Sequence, residues 1–187
     1  MTTLVALLRA VNVSGQNKIP MAELRASMEA AGFGDTRTYV QSGNIVCDAG
    51  GDYPAEEAAA IHGLIEREFG HDVSVLVLTA AELARVAAVN PFVAGGGSAV
   101  RADDEKYLHV TFLEGPVEEA DFGRLSLPAQ GDEQVVHAGR VIYLYLPHGY
   151  GRTKLNNAYF ERSLATPATT RNWRTVLALV EMSGRGA

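Results

Sequence analysis

Residues 36–48 read Thr-Arg-Thr-Tyr-Val-Gln-Ser-Gly-Asn-Ile-Val-Cys-Asp, and they decide the fold. Two β-compatible runs, 36–41 and 44–48, flank Ser42-Gly43, a turn pair, so this stretch predicts a hairpin. Upstream, residues 3–11 form an apolar run that predicts a strand, followed by a loop over 12–18 around Gly15. Pro20 suits the first turn of a helix, in which Met21, Leu24, Met28 and Ala31 draw one apolar stripe. Gly32 supplies its stop. Downstream, Ala58, Ile61, Leu64, Ile65 and Phe69 lie on one face of a second amphipathic helix over 55–69, and residues 73–78 close the set as a strand.

The resulting order over residues 1–79 is βαββαβ, the split pattern of a ferredoxin-like α+β sandwich. Residues 80–100 read as a connector: a helix over 80–90 ended by Pro91, then a linker over 94–98 with three consecutive glycines. Residues 101–187 predict a second α+β unit. It has a strand over 106–113, a short helix over 117–125, a hairpin of 134–138 with 141–146, and two helices over 156–164 and 170–182. This echoes the first unit as βαββα, with a C-terminal helix in place of the last strand.

The composition is that of a globular protein, with 47% hydrophobic and 20% charged residues among 187. A net charge of −6 excludes a generally basic nucleic-acid coat. The single cysteine, Cys47, excludes an internal disulfide framework or a multi-cysteine metal site and fits a reducing, cytoplasmic setting; it is expected in the core. No run approaches 18 apolar residues and the start lacks a basic leader, so neither a membrane span nor a signal peptide is expected. Charge is uneven: residues 1–47 carry +1, residues 48–147 carry −11 and residues 148–187 carry +4. A basic C-terminal segment on an acidic body creates local positive potential, unless the charges are simply a solvated surface.

Three polar constellations stand out. The densest is Tyr150-Gly151-Arg152-Thr153-Lys154-Leu155-Asn156-Asn157, where Asn156 or Asn157 is placed to cap the following helix beside Arg152 and Lys154. That pattern recurs at Thr169-Thr170-Arg171-Asn172-Trp173, read as a threonine cap with Arg171 in a first helical turn. A cation at an exposed helix N-terminus is unfavourable by about 0.3–1 kcal/mol, so something negative compensates, whether Glu161 or a bound anion. Trp173 shares a helix face with Val176, Leu177 and Val180 and is either core or a stacking residue. The second constellation is Arg9, Asn12, Ser14, Gly15, Asn17 and Lys18, in the loop after the first strand. Arg9 within an apolar run needs a partner, from protein or from ligand. The third is Tyr39, Gln41, Ser42, Gly43 and Asn44, which turn chemistry alone also explains. Of the scattered histidines only His148 stands near a basic segment as a potential acid or base, and no motif nominates a catalytic base, metal site or cofactor.

The strings LLRAVNVSGQNKIPMAEL, TYVQSGNIV, NPF, YGRTKLNN and ATTRNWRTVLAL occur in this order between residue 4 and about residue 180. Together they resemble the bacterial family called domain of unknown function 1697. Ala10 and Ser14 stand where that family has glycines, and Cys47 where it often has an aromatic residue. The resemblance implies a ferredoxin-like N-terminal unit and a bacterial cytoplasmic protein, with no established activity. On its motifs the site residues are Arg9, Asn12, Lys18, Ser42, Asn44, Arg152, Lys154, Asn156, Arg171, Asn172 and Trp173. The function expected is binding of a small anionic ligand, a nucleotide or phosphorylated metabolite, between the two units. Single-stranded nucleic-acid binding on a sheet face, with Tyr143 and Tyr145 as aromatics, and a protein-interaction module without ligand are the alternatives.

Overall fold

The computed structural model describes all residues except 14, 16, 52–53, 94–101 and 185–187. The expected glycine linker therefore lies outside the described residues. The chain divides into two compact units, Met1–Ala84 with Ala178–Ala187, and Arg85–Leu177.

In the first unit the elements are β1 (Thr2–Leu8), α1 (Met21–Ala30), β2 (Gly34–Tyr39), β3 (Asn44–Ala49), α2 (Pro54–Phe69) and β4 (Val75–Thr79). The sheet runs β2-β3-β1-β4 with every neighbouring pair antiparallel. β1 and β2 are thus separated by β3, so the two halves of the β-α-β-β-α-β order interleave. Alternate residues of the sheet build one face of the core: Leu4, Ala6 and Leu8 of β1 with Ile45, Cys47 and Ala49 of β3. Met21, Leu24 and Met28 of α1 and Ile61, Leu64 and Ile65 of α2 pack onto it. Cys47 is buried as expected, and burial pushes its thiol up to about 12. Pro20 precedes α1 as its cap residue. Gly32, at φ +98, ends the helix in a Schellman motif, with Phe33 N–H donating to Met28 O (3.0 Å) and Gly32 N–H to Glu29 O (3.1 Å).

α3 (Ala80–Ala88) starts with a capping box: Thr79 N–H donates to Glu82 Oε2 (2.8 Å) and Glu82 N–H to Thr79 Oγ1 (3.1 Å).

The second unit contains β5 (Leu108–Leu113), α4 (Glu119–Gly123), β6 (Gln134–Ala138), β7 (Val141–Tyr145), α5 (Asn157–Leu164) and β8 (Ala168–Asn172). Its sheet, β6-β7-β5-β8, repeats the strand order of the first unit. The sequence reading of 170–182 as one helix is corrected here. Residues 168–172 pair with β5 from Leu113↔Ala168 to His109↔Asn172, and α6 begins only at Trp173 (Trp173–Gly184). The second unit therefore has its fourth strand and is not βαββα plus a helix. Leu113, Ile142, Leu144, Leu155, Phe160 and Ala168 form its core on the helix-facing side of the sheet. Among the described residues no helix is long and apolar enough to cross a membrane.

Candidate functional site

The first two motifs meet in the first unit through one side chain. Asn12, held at φ +54, donates from Nδ2 to Ile19 O (2.9 Å) and to Gln41 O (2.8 Å), while its Oδ1 accepts from Ile19 N–H (2.9 Å). The loop after β1 is thereby fixed to the turn between β2 and β3. Asn44 is fully buried and donates from Nδ2 to Tyr39 O (3.1 Å) and Ser42 Oγ (3.0 Å). Both amides are engaged with the chain itself. Arg9 lies one residue past β1 and is partly exposed, so it does not stand within the apolar strand as the sequence suggested. Lys18 is exposed, and its carbonyl accepts from His71 Nε2 (3.3 Å). Ser14 lies outside the described residues.

The last two motifs meet in the second unit, at the end of the sheet where β5 begins and β8 finishes. In the loop leading to α5, Thr153 and Leu155 are buried while Arg152 and Lys154 are exposed, so the alternation turns both cations outward. Thr153 Oγ1 accepts from Leu155 N–H (3.0 Å) and fixes this register. Asn156 caps α5, its Oδ1 accepting from Tyr159 N–H (3.0 Å). Asn157 joins the motifs: its Oδ1 accepts from Thr170 Oγ1 (2.6 Å), which also bonds Thr111 Oγ1 (2.7 Å).

Arg171 is on β8 rather than in a first helical turn, so the helix-terminus argument does not apply to it. It is partly exposed overall, yet burial of its guanidinium pushes the group down to about 10, against the opposing effect of Tyr150. It remains a cation at neutral pH. Asn172, not a threonine, caps α6 through Arg174 N–H (3.0 Å), and its Nδ2 donates to Lys106 O (3.2 Å). Trp173 is 2% exposed, a core position; of the residues expected on its face Val176 is fully buried while Leu177 is 39% exposed, and Leu179 joins the buried stripe.

Sequence reasoning missed His109. It shares a β5 face with Thr111, is 8% exposed, and stacks on Tyr150 with centroids 5.2 Å apart and planes 25° from parallel. Its Nδ1 donates to Tyr107 O (3.2 Å), and burial holds it below its ordinary value of 6.5. The unfolded chain therefore takes up this proton first as pH falls. Stability contributed by neutral His109 is present above about pH 6.5 and is lost as pH drops towards the folded value. Melting curves at pH 7.5 and 5.5 should show a larger fall for the wild type than for His109→Gln; equal falls would overturn the assignment. His148 is exposed beside Asp132 (3.0 Å). Tyr143 is 2% exposed and donates its hydroxyl to Val86 O (2.9 Å), burial pushing the phenol up to about 12, while Tyr145 packs against Phe92 and Tyr107. Their rings are engaged in packing. Among the described residues no group of three or more His, Cys, Asp or Glu side chains could hold a metal ion.

The fold is similar to the solved structure of a conserved bacterial protein from Streptococcus pneumoniae, with a TM-score of 0.68 and 21% identity over 97% of this chain and 98% of that one. No curated protein matches the sequence. The family model described as "Protein of unknown function (DUF1697)" matches residues 1–143, which take in the Met1–Ala84 part of the first unit and the second as far as Tyr143 within β7. The motif resemblance and this match agree, and the chain belongs to the DUF1697 family.

Proposed function

We propose that the second unit binds a small anionic ligand, a nucleotide or phosphorylated metabolite, at the entrance to α5. The observation that carries this reading is the state of Arg152 and Lys154. Both are exposed on the loop running into a helix N-terminus, and neither has a carboxylate within ion-pair distance among the described residues. Glu161, the counter-charge the sequence offers, accepts from Ala168 N–H (3.1 Å). Two cations beside the positive end of a helix dipole repel it and each other, and an anion there relieves both. Thr170, tied to Asn157, brings the Arg171 segment of β8 to the same sheet end.

Titration of the protein with inorganic phosphate, ribose 5-phosphate and adenosine monophosphate at low salt tests the reading. Arg152→Ala and Lys154→Ala should each weaken binding on the order of tenfold, the loss of one charge-assisted contact. Unfolding free energies should stay within about 0.5 kcal/mol of wild type, because both side chains are exposed. Unchanged affinity in both variants, or no binding of any of the three probes by the wild type, would overturn it.

A further inference from the structure

We infer that Tyr150 is a stacking platform for the base of a nucleoside phosphate, which narrows the ligand of the α5 site to the nucleotide class and rests on the reading of that site as an anion site. Tyr150 stands two residues before Arg152 and four before Lys154, so a ring and two exposed cations share one short loop. The ring is fixed in place. Its hydroxyl accepts from Asn157 N–H (3.3 Å), the first residue of α5, and one of its faces rests on His109 at 5.2 Å and 25°. His109 in turn is oriented by its Nδ1 donation to Tyr107 O. The Tyr150 side chain packs against the core cluster of Ile142, Leu144 and Phe160, yet the residue remains partly exposed. A ring held by a hydrogen bond at one end and a stacked imidazole beneath loses little freedom when a third ring joins the stack. Burial keeps that imidazole below its ordinary protonation range, so at neutral pH it adds no positive charge under the platform. Base–aromatic stacking tolerates any base, because each has a π-face, and Tyr150 therefore selects nucleotides over sugar phosphates rather than one base over another.

The test compares adenosine monophosphate with ribose 5-phosphate, which share the phosphate and the sugar and differ in the base. Wild-type protein should bind the nucleotide on the order of tenfold more tightly. Tyr150→Leu should bring that ratio to about one while leaving the affinity for ribose 5-phosphate unchanged, and Tyr150→Phe, which keeps the ring, should preserve the ratio. Should Tyr150→Leu fail to fold, Tyr150→Trp takes its place and should raise the ratio. A wild-type ratio near one, or a ratio that Tyr150→Leu or Tyr150→Trp does not change, overturns the inference while ribose 5-phosphate binding still upholds the anion site. Failure of both probes to bind overturns both.

Discussion

Replacing Gly43 with alanine should destabilise the first unit by about 3–5 kcal/mol, combining left-handed strain with overpacking. Gly43 sits at φ +71, and a Cβ built there meets Leu8 Cβ at 2.6 Å and Leu8 Cγ at 3.1 Å. A rotamer change at Leu8 gives no relief, because the nearest atom is its Cβ, which the backbone fixes. The backbone is held as well: Leu8 N–H donates to Gly43 O at 2.8 Å, and Leu8 is fully buried. Gly139 is the control, since it has φ +62 but nothing within 4 Å of its added Cβ, and alanine there should cost only about 1 kcal/mol. Urea unfolding of the two variants separates close approach from conformational strain. Equal midpoints would show that the contact with Leu8 is not what demands glycine.

Asn12→Ala should cost about 2–4 kcal/mol, since it removes two donations and one acceptance that span two loops and leaves Ile19 N–H and two carbonyls to find new partners. Alanine also loses the tolerance of asparagine for the left-handed φ of +54. Asn12→Asp should do no better. It keeps an acceptor for Ile19 N–H but turns a carboxylate towards the Ile19 and Gln41 carbonyls. A melting temperature unchanged by Asn12→Ala would overturn the assignment.

The apolar periodicities made most of the fold legible. Met21, Leu24 and Met28, and likewise Ile61, Leu64 and Ile65, announced their helices, and Ser42-Gly43 announced the hairpin, because in each case local spacing and burial agree. β8 was not legible, for a physical reason. Thr169-Thr170-Arg171-Asn172 carries no apolar alternation, pairs among the described residues only with β5, and has the composition of a helix cap. Its strand character comes from β5, where Thr111 meets Thr170, a pairing that sequence separation hides. The same pairing hid His109. Its place on the Thr111 face could be read from the alternation of β5, but the Tyr150 ring over it arrives from 41 residues away. The sequence singles out Asn12 and Asn44 as site residues, and in the structure their amide groups serve turn and loop carbonyls. A sequence shows that an amide is needed at a position without showing whether it serves the backbone or a visitor.

The way the chain is apportioned sets an order of birth on the ribosome. The second unit is one unbroken stretch, Arg85–Leu177, whereas the first takes Met1–Ala84 and is completed by the part of α6 from Ala178 onward, including fully buried Leu179. Vectorial synthesis therefore hands the later-made unit its full complement of strands while the earlier-made one still waits for its closing helix. Domains ordinarily mature from the N-terminal side as they emerge. Here the nascent first unit must persist unfinished through the translation of all of the second, and its final consolidation waits until the residues after Leu177 have been made.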